Sequence, residues 1–369
     1  MSKVYTEVTR TSYLQNILNS FVGALIGLLL FFGAFFVIWW NEGRTNIALV
    51  AAESMPVPAS TINPANEGQF VAVTGELVAS APIGDAPYLQ PGNYLFLERK
   101  AEMFAWDEES RSETRDKLGG GSETVTEYRY EKKWTTSPDN SANFKDPGGH
   151  TNPPMAVEGR EVEAPGATLG AFALDLKTLS LPGGDSVPLT SQNVLTDASA
   201  KLDSGYLFIG KGVQGNPEIG DIRISYTALA SPTTVTVFGQ QSGQGLVPYL
   251  YDKSSTFFRA LTGDRNAAIS QLQTEHTLIS WLLRGAGFLM LWLGLTLVLN
   301  PLATIAGVLP LLKQVTGFLT GVVTFIVALV LWGVVTLISV VLHNIWLALA
   351  AAVIVIGIIL FLLRRRQAA

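Results

Sequence analysis

The sequence predicts a membrane α + β protein. It should have four transmembrane helices, one N-terminal and three C-terminal, and a large β-rich extracytoplasmic domain. Three observations predict this. Phe21–Trp40 is an uncharged apolar run of 20 residues, and the C-terminal quarter holds two more, Gly317–Leu342 with 26 residues and Ile345–Leu363 with 19. Segments within residues 41–277, such as Tyr94–Trp106, Thr124–Trp134 and Asp221–Leu229, instead carry the period-two alternation of half-buried strands. Lys3, Arg10, Lys313 and Arg364–Arg366 all fall on one side if both chain ends face the cytoplasm, while the link His343–Asn344 has no Lys or Arg. Lys and Arg mark the cytoplasmic side.

In chain order, residues 1–20 read as a short cytoplasmic lead without regular structure. Residues 21–40 form the first span, since roughly 20 apolar residues cross a bilayer core as a helix. The run ends in Trp39–Trp40. A cleaved signal peptide has an apolar core of only about 7–15 residues and ends in small residues, so this run reads as an uncleaved anchor. Its Gly23-x-x-x-Gly27 is a spacing that lets helices approach closely; it is a dimer or bundle face, or incidental. After Asn41–Glu42–Gly43–Arg44 the helix is expected to continue until Pro56 and Pro58 end it.

Residues 41–277 form the exterior domain, with strands expected at Phe70–Val78, Tyr94–Trp106, Thr124–Trp134, Asp221–Leu229, Thr233–Gln240 and Gln244–Tyr249. Asp107–Glu123, with Gly119–Gly121, reads as the mobile tip of a long hairpin. Its acidic triple Asp107–Glu109 lacks the alternate-position oxygens of a calcium loop and reads as solvated. Thr135–Ser191 is Pro/Gly-rich and shows no period. From Phe257 the period changes: Phe258, Leu261, Ile269, Leu272, His276 and Ile279 recur at helical steps. That amphipathic helix leads into the second span, residues 278–305. Residues 306–316 connect to the third span at 317–342, the fourth is 345–363, and residues 364–369 are a basic cytoplasmic tail.

The chain has no cysteine, so neither a disulfide nor a thiolate zinc site is available. Residues 41–277 hold 29 Asp+Glu against 18 Lys+Arg, a net −11, while the rest of the chain has one acid against seven bases. No basic tract with interleaved aromatics points to nucleic acid. The three histidines, His150, His276 and His343, are scattered, with no H-x-x-x-H or H-E-x-x-H spacing. Neither a G-x-S-x-G elbow nor a P-loop occurs. The reading is therefore not an enzyme, with no catalytic, cofactor-binding or metal residue. The spans hold almost no ionisable groups, which argues against a proton-coupled carrier. A pore lined by Thr320, Thr324, Thr336 and Ser339 stays open, though such residues are more often packing contacts.

Several motifs, in order, resemble the transmembrane protein 43 family: Asn41–Glu42–Gly43–Arg44 after the first span; Tyr128, Tyr130, Trp134, Phe144, then His150, Asn152 and Pro153; Gly220–Asp221–Ile222–Arg223; Leu246–Val247–Pro248; and Trp281, Arg284, Ala286, Gly287, Gly294 and Leu295 at the second span. The resemblance implies one span, a large β-rich lumenal domain and three C-terminal spans. Animal members belong to the endoplasmic reticulum and inner nuclear membrane, and are linked to organising the nuclear envelope and membrane-protein complexes. The cysteine-free chain suggests a bacterial member, in the inner membrane with a periplasmic domain.

The expected function is a non-enzymatic scaffold or organiser of membrane-protein complexes. It would act through self-association, on Gly23-x-x-x-Gly27 and Gly317-x-x-x-Gly321, and through its β-rich domain. Its partners would be the lipid bilayer, a second copy and other membrane proteins, without nucleic acid or cofactor. An oligomeric pore or channel component and a bacterial membrane stress or defence effector are the alternatives. Glu42 and Arg284, at the same ends of the first two spans, are expected either to pair or to snorkel separately into headgroups.

Overall fold

Strands form here where β-branched and aromatic residues alternate with polar ones, and helices where apolar residues run on unbroken. The computed structural model describes residues 4–195, 200–306, 310–344, 348–350 and 353–354. One unit comprises Met1–Thr6, Ile47–Arg111 and Glu127–Gln273; the other comprises Glu7–Asn46, Ser112–Thr126 and Thr274–Ala369.

The first unit is built on two sheets. The eight-stranded sheet has the order β1 (Val4–Thr11), β3 (Ser122–Thr135), β2 (Tyr94–Asp116), Ile222–Ala230, Tyr206–Ile209, Lys201–Asp203, with Arg160–Glu163 beside β2 and Asp185–Ser186 beside Ile222–Ala230. The far ends of β1, β2 and β3 belong to the second unit. The seven-stranded sheet runs Arg259–Thr262, Thr233–Ser242, Gly245–Val247, Phe172–Leu174, Ala167–Leu169, Phe70–Ala79, Met55–Pro58. One core joins them. Leu97, Ala101, Met103, Ile224 and Tyr226 from the first sheet bury with Val71, Val73, Leu77, Val235 and Val237 from the second.

The second unit holds α1 (Tyr13–Glu42), most of α3 (Arg265–Ala306) and α4 (Pro310–His343). Helix α1 starts where the Ser12 hydroxyl accepts from the Gln15 amide at 3.3 Å, an N-cap. Among the described residues three helical stretches are long and apolar enough to cross a membrane: Tyr13–Ala52, which joins α1 to the short helix after it, Arg265–Ile305 and Phe318–His343. The fourth expected span, Ile345–Leu363, and the tail 364–369 lie outside the described residues except at 348–350 and 353–354.

Four local expectations are corrected. Residues 4–11 form a strand rather than a shapeless lead, because Val4, Thr6, Val8, Thr9 and Thr11 are β-branched and Tyr5 is aromatic. Helix α1 stops at Glu42 and a separate α2 (Ile47–Ala52) follows. Phe258 and Leu261 lie in or beside the strand Arg259–Thr262 and not on a helix; Gly263 at φ +89° turns the chain, and Asp264 Oδ1 accepts from the Ala267 amide at 2.8 Å to start α3. The hairpin strands also run deep into the supposed tip.

Candidate functional site

The residues singled out by motif gather at two places, one in each unit. In the second unit the place is the Glu42 end of α1. Arg284 forms a two-pronged ion pair with Glu42, Nε to Oε1 and Nη2 to Oε2, both 2.8 Å. The side chains are 21% and 8% exposed, so the pair is shielded from water on both sides. The Arg284 guanidinium also lies over the Trp281 ring, 5.0 Å from its centroid, and the Trp332 indole donates to the Arg284 carbonyl at 2.9 Å. Asn41 Nδ2 donates to Glu42 Oε1 at 3.1 Å and to the Ser280 carbonyl at 3.3 Å. Arg44 Nη2 donates to Ser280 Oγ at 3.1 Å. Asn41, Glu42 and Arg44 thus tie the end of α1 to one turn of α3.

Gly43 and Gly287 are there for space. A Cβ on Gly43 would meet His343 Nε2 at 2.6 Å, and one on Gly287 would meet Ile38 Cγ1 at 2.6 Å. His343 is fixed by Nδ1 to the Ser339 carbonyl at 2.8 Å and lies 4.3 Å from the Trp39 ring. A planar charge-assisted pair of this kind is geometrically specific, and leaving one partner alone in a shielded site is costly. Its chemistry is to hold position.

In the first unit, His150, Asn152, Pro153, Gly220, Asp221 and Arg223 converge on β2 residues 102–106. Asn152 Oδ1 accepts from the Trp106 amide at 2.7 Å, and its Nδ2 donates to the Trp106 carbonyl at 2.8 Å and the Asp139 carbonyl at 3.1 Å. The buried His150 stacks on Tyr130 at 4.0 Å, meets Trp106 edge-on at 4.8 Å and contacts the Asp146 carbonyl through Nδ1 at 2.9 Å. Burial, then the Glu108 carboxylate, push the Tyr130 phenol up to about 12. It therefore stays protonated and donates to Glu108 Oε2 at 2.6 Å.

Gly220, at φ +93°, lets Pro153 approach, since a Cβ there would meet its Cγ at 2.8 Å. Asp221 is buried and accepts from the amides of Lys211 at 2.9 Å, Gly212 at 3.1 Å and Glu218 at 2.7 Å. Arg223 sits between the Trp134 and Tyr206 rings, at 4.7 and 4.8 Å, and bonds Glu102 at 2.8 Å. Burial pushes the Glu102 carboxyl up, but Arg223 and Lys100 outweigh it and hold it below the usual carboxylate range. Each of these polar groups is spent on another part of the chain, which makes the cluster a brace for loops 139–153 and 210–221.

The residue reading missed two partners. Asp85, 1% exposed, takes Arg99 at 2.7 Å, Arg160 at 3.4 Å and the Tyr226 hydroxyl at 2.8 Å. The other is Asn16, whose Nδ2 donates to the Gly120 carbonyl at 3.0 Å. Among the described residues, no group of three or more His, Asp or Glu is placed to hold a metal ion. Thr324 bonds Thr296 at 2.8 Å and the Thr320 carbonyl at 2.8 Å, as a packing residue does.

A family model described as Transmembrane protein 43 matches residues 103–362. The transmembrane protein 43 of Mus musculus is 29% identical over 344 residues, covering 88% of this chain and 85% of that protein. That of Homo sapiens is 29% identical over 341 residues, covering 87% and 84%. A homolog from Drosophila melanogaster is 27% identical over 285 residues, covering 74% and 75%. No solved structure matches.

Proposed function

The chain belongs to the transmembrane protein 43 family, and we propose that it is a non-enzymatic membrane scaffold whose helical unit is locked by the Glu42–Arg284 pair. The observation that carries this reading is that two-pronged contact, 2.8 Å on each arm, at the ends of two apolar helices. A fixed anchor with a large β-rich unit is suited to holding other membrane proteins in place. Self-association is part of the proposal. It rests on β1, which ends its sheet order and exposes Val4, Tyr5 and Val8, because an exposed apolar edge strand is a template for pairing. The Gly23-x-x-x-Gly27 face does not support it, since α3 of the same chain occupies that face. The bacterial inner membrane is the setting we propose, a reading that rests on the absence of cysteine alone.

The test is a charge swap. Glu42→Arg and Arg284→Glu should each lower the melting temperature in mild detergent, at a cost on the order of 3 kcal/mol for stranding a shielded charge. The double swap should recover much of that loss. Single variants that melt like the wild type, or a double swap equal to the sum of the singles, would remove the lock from the account. Light scattering in the same detergent should give a mass of more than one copy.

A further inference from the structure

The joint between α1 and α3 holds more positive charge than its ion pair uses. Glu42 is one carboxylate, whereas Arg44 and Arg284 are two guanidinium groups, so the three together are left with a surplus cation. Arg284 commits Nε and Nη2 to Glu42. Arg44 commits only Nη2, to Ser280 Oγ at 3.1 Å and the His276 carbonyl at 3.5 Å. Among the described residues neither arginine has a protein partner for its Nη1, and neither Nη1 is buried. Arg44 Nε is buried and unpaired as well. A guanidinium has five N–H donors and no acceptor, and both Glu42 oxygens are already taken. What the joint lacks is a negatively charged acceptor.

The depth of the joint says where that acceptor comes from. Every residue of α3 from Gly285 to Ile305 is uncharged. From Arg284 to Ile305 the helix rises about 32 Å, and the hydrocarbon core of a bilayer is about 30 Å thick. Arg284 therefore marks one edge of the core. Ser280, which holds Arg44, is one turn or about 6 Å further out. That is inside the headgroup layer, which brings the full bilayer to about 40–45 Å. Trp39, Trp40 and Trp281 stand exposed around the same joint, as the aromatic belt of a membrane surface does. The acceptors at this depth are the phosphodiester groups of the lipids. Guanidinium and phosphate form strong, charge-assisted and often two-pronged bonds.

We propose that Arg44, with Arg284 one turn deeper, forms a binding site for the phosphodiester of a phospholipid headgroup. The site rests on the helical lock described above. Arg44→Gln leaves Glu42 and Arg284 in place, so its lipid occupancy reports the site while its melting temperature reports the lock. The full-length protein, stripped of lipid and incubated with palmitoyl-oleoyl phosphatidylglycerol in mild detergent, should retain that lipid in native mass spectrometry. Palmitoyl-oleoyl glycerol, with the same acyl chains and no phosphodiester, should not be retained. Arg44→Gln should lower the occupancy about tenfold, the effect of losing one hydrogen bond to a charged group. Arg129→Gln, at an exposed pair with Glu127, should leave it unchanged. Equal occupancy in wild type and Arg44→Gln overturns the proposal. So does equal retention of the two lipids by the wild type, a comparison that does not depend on how any variant folds. Millimolar inorganic phosphate should leave the lipid bound; displacement by it would make this a site for a dissolved anion and overturn the lipid assignment.

Discussion

Asn152 stands in for a strand that is not there: its carboxamide bonds both the amide and the carbonyl of Trp106 as a neighbouring backbone would. Removing it strands two backbone groups of β2, at about 1–3 kcal/mol for each buried group left unpaired. Asn152→Ala should therefore lower the unfolding free energy by about 2–6 kcal/mol, read by denaturant titration, and an unchanged midpoint would contradict the assignment. The Glu102–Arg223 pair makes a prediction about pH. Its carboxyl is held below the ordinary value of 4.5, so its contribution is complete above that pH and lost as pH falls through the folded value. Acidification should lower the melting temperature in that window, and Glu102→Gln should flatten the dependence. At this scale the sequence was partly legible. Asn152, Pro153, Asp221 and Arg223 stood out by resemblance alone. Asp85 did not, because in Ile83-Gly84-Asp85-Ala86-Pro87 a buried charge hub looks like any acidic turn residue.

Among the elements, α1 and α3 owe their contact to small residues. A Cβ on Gly27 would meet the Gly294 carbonyl at 2.7 Å, and one on Gly294 would meet the Gly27 carbonyl at 2.8 Å. Backbone-to-backbone approach of this kind is what small residues four apart permit. Gly27→Leu should separate the helices and lower the melting temperature in detergent by more than Gly285→Ala, whose new Cβ meets nothing; equal effects would contradict the packing. The spacing was visible in the sequence, but whether its partner was another copy or another helix of the same chain was not. The hairpin was legible only in its inner half. Beyond Trp106 the apolar alternation stops and hydroxyls take over, with Ser112 to Thr126 and Thr114 to Thr124 both at 2.9 Å across the strands. Cross-strand hydroxyl pairs of this sort support a ladder, yet in sequence they look like a polar loop.

For the molecule as a whole, hydropathy alone located the three described apolar helices, and strand alternation located most of the β-rich unit. Which segments share a membrane face is a different matter, since it depends on contacts far apart in sequence. The basic-residue rule sets residues 1–20 and Gly120 on opposite faces. In the second unit they touch: the Tyr13 ring packs on Gly120, Asn16 bonds the Gly120 carbonyl at 3.0 Å, and Arg10 pairs with Glu123 at 3.0 Å. The Tyr13 hydroxyl also reaches the Ile305 carbonyl at 3.1 Å, marking the end of α3 opposite Arg284. Ser112–Thr126 carries Glu113, Arg115, Asp116, Lys117 and Glu123, and such a segment does not rest in hydrocarbon. That contact predicts that the hairpin tip and the start of α1 share one face of the membrane. The chain has no native cysteine, so a designed pair reports without background. With Asn16→Cys and Gly120→Cys introduced together in membranes, oxidation should join the two positions within one chain, as a shift in a protease-cut fragment pattern. Failure to cross-link, with each cysteine modified by an impermeant thiol reagent only from the opposite face, would contradict this arrangement of the helical unit.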